Sequence, residues 1–289
     1  MRLAIVGFGL IGGSIARALR DGRGGARIES IAAWSPSGRG PAAALADGLI
    51  EWAPPSLAAT TDGADLIVLA ADPLACLGLL DELSRQPVAG EPPTITDVAS
   101  TKALLVGRAD RLGLHYVGGH PMAGLETAGY ANARADLFAG RPWVLCPGAL
   151  ARPVDLERVA QLVAACRAES RWLGPAEHDR AVAAVSHLPL IVAAALVEAM
   201  SGGEDWPLAE GLAAGGWLSA TRLARGDVTM GAGIAATNAA ELARRLRALH
   251  IQLDHWLADL QETPDDPAAT ADRLRARLSA AKQTLEAAG

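Results

Sequence analysis

An α/β chain in two parts, a mixed strand and helix half followed by a wholly helical one, is predicted by three observations. A short apolar run, Leu3-Ala4-Ile5-Val6, passes through Gly7-Phe8-Gly9-Leu10-Ile11-Gly12 into residues 14–20 at helical spacing: strand, glycine turn, helix. Apolar strand-like runs then alternate with helical ones as far as Ser170 to Leu173, the alternation of a parallel sheet covered by helices. Beyond Gly174-Pro175 only helical periodicity remains. The boundary is therefore set there, with residues 1–174 as a Rossmann-type, doubly wound dinucleotide-binding domain and 175–289 as an all-α substrate and dimerisation domain.

The totals narrow the function. A chain of 289 residues, 51% apolar, has material for two cored domains. Its net charge of −6 and lack of any basic block argue against a nucleic-acid partner. Cys76, Cys146 and Cys166 are widely separated and lack metal-ligand spacing, so three buried thiols in a reducing cytoplasm are expected, with no metal. No signal-peptide pattern precedes the first strand. Residues 181–200 are apolar and long enough to span a bilayer, but they are alanine-rich and carry Ser186, His187, Pro189 and Glu198. A helix buried within a protein is expected, and no membrane partner.

In the glycine turn, Gly7 permits the tight bend, Gly9 lets the backbone approach a pyrophosphate and Gly12 lets helix pack on strand. Leu10 and Ile11 open the helix whose free N–H groups face the phosphates. The second strand, Ile28 to Ala33, ends where an NAD site usually carries an acid for the ribose 2′-hydroxyl. The sequence there is Trp34-Ser35-Pro36-Ser37-Gly38-Arg39. With no acid, and with Ser35, Ser37 and Arg39 available, the pattern points to NADP, with NAD as the alternative; Arg39 is also explained as a solvated loop residue.

Asp65 to Ala71 and Thr94 to Val98 read as buried parallel strands, and His115-Tyr116-Val117 as a short one giving way to a glycine-rich turn that carries His120. Ligands of such sheets sit at the carboxyl ends of the strands, so Ala71, Ser100 and His120 should face one crevice, with Asp72 and Thr101 beside the cofactor. Imidazole titrates near neutrality, which suits His120 to exchange a proton, although by itself it equally reads as a loop residue capping a turn. Ser100 is also explained as the N-cap of a helix from Lys102 to Leu112. Farther on, Pro189 should kink a helix running from Ala176 to Met200 near Ser186-His187, a polar pair that is either a satisfied core pair or a wall of the site. A helix from Ala235 to Leu260 carries Leu242, Leu246, Leu249, Leu253 and Trp256 at helical spacing. Little sheet is left for these helices to cover, which implies a homodimer.

With GFGLIGGS at the N-terminus, DVASTK at 97–102, GGHPMAG at 118–124, AEHDRAVAAVSHLP at 176–189 and Thr221-Arg222, the chain resembles the prephenate and arogenate dehydrogenases of tyrosine biosynthesis. It is also similar in plan to 6-phosphogluconate dehydrogenase. The resemblance implies oxidative decarboxylation of a cyclohexadienyl ring, a small-molecule substrate giving hydride to the nicotinamide and its carboxylate as carbon dioxide. It implies His120 as the group that takes the ring hydroxyl's proton, Ser100 as its orienting partner and Arg222 as the cation for a substrate carboxylate. Glu126 would stand at the mouth of the cleft, His187 in its wall and Gly215 on its substrate side.

Two departures bear on specificity. Many prephenate-type members read SHLPH, whereas here the last position is Leu190. Together with the acid-free second strand, this is similar to the NADP-dependent arogenate enzymes, giving arogenate to tyrosine as the expected reaction and prephenate to 4-hydroxyphenylpyruvate, or both, as the alternative. No regulatory domain is expected after the helical part, so tyrosine, if it inhibits, acts at the active site. A β-hydroxyacid dehydrogenase or imine reductase would share the plan. The first uses a lysine on the helix after the boundary, and the only lysines here are Lys102 and Lys282. A non-catalytic NADP-binding sensor would show a broken constellation, yet Ser100, His120, His187 and Arg222 are all present.

Overall fold

The computed structural model describes residues 1–22, 28–88, 90–125, 127–262 and 265–288. They form two compact units, Met1–Ala239 and Ala240–Gly289. The change from mixed to wholly helical chain falls at Gly174-Pro175, inside the first unit, because several of the later helices pack back on the sheet half.

The first unit alternates β1 (Arg2–Val6), α1 (Leu10–Arg20), β2 (Ser30–Trp34), α2 (Arg39–Ala46), α3 (Leu57–Thr61), β3 (Leu66–Leu69), α4 (Pro73–Leu83), β4 (Thr94–Asp97), α5 (Ala103–Arg111) and β5 (Tyr116–Pro121). It continues through β6 (Pro142–Pro147), α6 (Pro153–Ala165) and β7 (Glu169–Trp172). The seven strands lie in the order β2-β1-β3-β4-β5-β6-β7. β1 to β5 are parallel, β6 runs antiparallel to β5, and β7 is parallel to β6.

Alternate residues of each strand feed two cores, which is why the central strands read as unbroken apolar runs. Leu3, Ile5, Ile31, Leu66 and Val68 pack with Ile15, Leu19, Val159 and Leu162 on the face covered by α1 and α6. Ala4, Val6, Ile67, Leu69 and Ile95 pack with Cys76, Leu80, Leu105 and Ala109 on the face covered by α4 and α5. All three cysteines are buried and unbridged, and burial pushes the thiols of Cys146 and Cys166 up to about 12.

The chain leaves β1 for β2 on one side and then crosses to β3 on the other. This opens a crevice at the carboxyl ends of β1 and β3, the switch point of a doubly wound sheet. Gly7 closes it at the bottom: its φ is +93°, and a Cβ there would lie 2.3 Å from the Ala70 carbonyl oxygen.

The helical portion begins with α7 (Pro175–Val182), a π turn (Ala183–His187) and α8 (Leu188–Ser201). Where a proline kink was expected, the helix instead widens by a π turn ahead of Pro189, a way of rerouting main-chain bonds around a residue that lacks an N–H. The expectation of a buried helix here is also corrected. In α8 the buried residue is Ala193, while Met200 is exposed, as is Val185 in the π turn before it, so among the described residues part of this apolar face has no cover. This segment is long and apolar enough to cross a membrane by length and composition alone.

Next come α9 (Trp206–Gly211), α10 (Gly215–Ala220), a 3-10 turn (Arg222–Arg225) against α8, and α11 (Val228–Thr237) against α4. A single helix from Ala235 was expected, but the chain breaks at Asn238 before α12 (Ala239–Gln261), because the Asn238 amide is engaged elsewhere. In the second unit α12 is joined to α13 (Pro267–Ala288) by an Arg277–Asp259 ion pair, and the Arg277 guanidinium lies 5.6 Å from the Trp256 ring centroid.

Candidate active site

His120 does not sit in a turn. The strand expected to end at Val117 runs on through Gly118, Gly119 and His120 to Pro121, because β6 pairs with all four, His120 opposite Val144. The glycines serve close packing instead. A Cβ on Gly119 would lie 2.4 Å from the Asp97 carbonyl oxygen, and one on Gly118 would lie 3.0 Å from Cδ of Lys102. Since β5 is parallel to β4, His120 emerges at the same edge of the sheet as the glycine loop.

Around His120 a chain of buried polar groups is assembled from three elements, β5, α7 and the start of α5. His120 Nδ1 lies 2.8 Å from His178 Nε2, the rings meeting edge to face at 74°. His178 Nδ1 lies 2.8 Å from Asp179 Oδ1. The Asp179 carboxylate also accepts the main-chain N–H groups of Lys102 at 2.7 Å and Ala103 at 2.8 Å, the first free donors of α5. Burial would raise the Asp179 carboxyl, but the bonds from His178, Ala103 and Lys102 outweigh it and hold it below the usual carboxylate range.

This arrangement corrects the expectation for Ser100. The side chain of Ser100 does not cap α5; a carboxylate 76 residues from Ala103 in the chain does so from α7. The main chain of Ser100 instead stands beside His187. His187 is sealed from solvent, and its Nδ1 accepts the Asn238 amide at 3.1 Å, so its proton is on Nε2. Nε2 makes no well-formed hydrogen bond. Burial, opposed in part by Asp179 and the Ser100 backbone, lowers His187 to about 4. His120 is held well below the usual histidine value by burial first, then by His178, Lys102 and His187. Both imidazoles are neutral at neutral pH.

The structure thus brings Ser100, His120 and His187 together, and sequence reasoning missed His178, Asp179 and Asn238, which connect them. The Asn238 amide also donates to the Asp179 carbonyl at 2.9 Å. The His-Asp pair at 178–179 was visible within the AEHDR segment, but nothing local indicated that it would reach β5. Gly215 opens α10 and Arg222 opens the 3-10 turn, both exposed. Glu126 lies outside the described residues.

At the dinucleotide end, α1 starts at Gly9 with no side-chain cap, and a Cβ on Gly9 would meet nothing within 4 Å. Free N–H groups beneath open space suit a pyrophosphate, with Leu10 and Ile11 as the first helical residues. Gly12 is buried against the loop. Ser35, Ser37 and Arg39 follow β2, and α2 starts against the loop: a Cβ on Gly40 would lie 2.1 Å from the Phe8 carbonyl oxygen. Ala71 ends the segment after β3. The side chains of two expected cofactor contacts have other partners. Asp72 caps α4 through the N–H groups of Leu74 and Ala75. Thr101 Oγ1 lies 2.8 Å from Thr237 Oγ1, whose own proton goes to the Gly233 carbonyl.

Comparison with known proteins agrees with this geometry. Residues 15–171 match the prephenate dehydrogenase nucleotide-binding domain and residues 174–274 the prephenate dehydrogenase dimerization domain. A prephenate dehydrogenase of Bacillus subtilis is 33% identical over 264 residues, 90% of this chain and 68% of that protein. The crystal structure of Synechocystis arogenate dehydrogenase superposes with a TM-score of 0.77 at 29% identity, covering 99% of this chain and 100% of that one. That of a prephenate dehydrogenase from A. aeolicus, in complex with hydroxyphenyl propionate and NAD+, superposes with a TM-score of 0.83 at 26% identity, covering 96% and 97%. The glycine loop at the switch point, the buried histidines at the sheet edge and the two matched domains make this chain a member of the prephenate dehydrogenase family, dehydrogenases that use a nicotinamide cofactor.

Proposed function

We propose that the protein oxidises and decarboxylates arogenate to tyrosine with NADP, and that His120 is its base. One observation carries the role of His120: a buried imidazole, kept neutral, at the sheet edge that also presents the glycine loop. The nicotinamide, when bound, accepts the hydride that leaves the carbinol carbon. As that carbon gains carbonyl character its hydroxyl becomes acidic, and His120 takes the proton. The bond to the ring carboxylate then breaks, carbon dioxide leaves, and the electron pair makes the ring aromatic. The phenol oxygen recovers the proton that His120 held, so charge balances with no net proton released. Ser100 and His187 line the same region, and Arg222, on its exposed turn, is assigned to a substrate carboxylate. Glu126, by the family resemblance, is assigned to the cleft mouth and Gly215 to the substrate side.

The arogenate preference rests on Leu190, whose Cδ2 would lie 3.5 Å from a Cβ on Gly231 of α11 and which offers no polar group to a keto-acid side chain. The NADP preference rests on the acid-free end of β2 and on Arg39 at the start of α2. A homodimer follows from the matched dimerization domain and from an open apolar groove of about 610 Å³ lined by Met200, Trp206, Leu212 and Trp217. Steady-state cofactor reduction, crossing arogenate and prephenate against NADP and NAD, tests the specificity. Arogenate with NADP should give the highest kcat/KM. If prephenate with NAD wins, both specificity arguments fail while the reaction class stands.

A further inference from the structure

The two ring nitrogens of His120 are not equivalent, and the buried chain behind it decides which one carries a proton. Asp179 is held ionised by the N–H groups of Lys102 and Ala103, so it can only accept. A neutral His178 then donates from Nδ1 to Asp179, which leaves a lone pair on its Nε2. That lone pair, 2.8 Å from His120 Nδ1, requires the proton of His120 to be on Nδ1. His120 Nε2 is then the basic nitrogen. We propose that His178 and Asp179 are positioning residues that fix this tautomer of His120 and share the charge when Nε2 is protonated.

The inference rests on the reading of His120 as the base. The groups facing His120 are the Lys102 ammonium, the Asp97 carboxylate paired with it, His178 and Asp179 from α7, and His187 from the π turn. Lys102, His178 and His187 disfavour charge on His120. Asp179, reached through His178, is the carboxylate hydrogen-bonded into this chain, so it is the group that supports an imidazolium there. Without His178, the ring of His120 has no acceptor to hold its Nδ1 proton, and the tautomer with Nε2 already protonated becomes populated. That tautomer cannot take the substrate's proton.

The test is ¹⁵N NMR of the ¹⁵N-histidine-labelled full chain, which has six histidines to assign, alongside kinetics of His178→Leu and His178→Gln. In the unsubstituted protein His120 should be protonated at Nδ1. His178→Leu should shift His120 toward the Nε2-protonated form and lower kcat about 100-fold, with cofactor affinity unchanged. His178→Gln, whose carboxamide oxygen can accept the same proton, should restore the tautomer and return kcat to within about tenfold. A His120 protonated at Nε2 in the unsubstituted protein overturns the proposal even if His178→Leu fails to fold. So does a folded His178→Leu that keeps both tautomer and turnover. Full turnover in His120→Asn would remove the base assignment instead, a failure the tautomer measurement does not share.

Discussion

Lys102 and Asp97 form an ion pair in which both side chains are sealed from solvent. The Asp97 carboxylate also accepts the Tyr116 hydroxyl and the Ala99 N–H. Removing one partner of such a pair leaves a buried charge without compensation, which costs far more than the pair itself contributes. Lys102→Met should therefore lower stability by about 3–5 kcal/mol, read as a fall in the urea midpoint. Combining it with Asp97→Asn should recover a substantial part of that loss. A single variant as stable as the unsubstituted chain would show that Lys102 is not needed to compensate the buried Asp97.

His120→Asn keeps a polar side chain of similar reach but removes the base. Turnover should fall by about 10²–10⁴, with the dissociation constant of the cofactor unchanged by fluorescence titration. A variant that loses cofactor binding in parallel would place His120 in the fold of the site and not in its chemistry.

The pH dependence of kcat/KM follows from the neutral His120. The base works only when unprotonated, and its value in the folded protein lies well below the usual 6.5. The acidic limb of the kcat/KM profile should therefore fall below pH 6.5, with activity lost only as pH drops through the depressed value. A limb centred above pH 7 would mean that something in the free enzyme favours the imidazolium.

Stability should respond to the other buried imidazole. His187 titrates at about 4 in the folded chain against 6.5 when exposed, so between those values the unfolded chain binds a proton that the folded chain does not. Stability is therefore fully present above about pH 6.5 and declines as pH falls toward 4, by about 3 kcal/mol from this group at most. The decline should shrink in His187→Gln, measured by urea unfolding from pH 7 to 4.5.

The elements that one stretch of sequence can specify were legible, and those that depend on distant partners were not. The strand, glycine turn and helix from Arg2 to Arg20 follow from neighbouring residues, as does the buried run of β3. The Gly118-Gly119 pair reads as a turn by composition and becomes strand only because β6, more than twenty residues on, pairs with it. The capping of α5, for which Ser100 was the local alternative, is supplied by a carboxylate on α7. His120 itself could be singled out from the sequence, whereas the two residues that set its protonation could not, because their distance from it is a property of the packing of α7 on α5. The break at Asn238 had a local cue, an asparagine near the start of the expected helix, that the apolar spacing of the leucines after it outweighed.

The π turn between α7 and α8 acts as a phase setter for everything that follows it. A π turn holds more residues than a regular α-turn, and each residue in an α-helix advances the chain by about 100° and 1.5 Å. Deleting one residue from 183–187 would let the two helices fuse as a continuous α-helix, rotating α8 by roughly a quarter turn and drawing it in by about one residue's rise. Ala193, the buried residue of α8, would turn away from its pocket, and the apolar face now turned outward would be presented at a different angle. The register of this one turn thus sets both how His187 meets Asn238 and which side of α8 is turned outward.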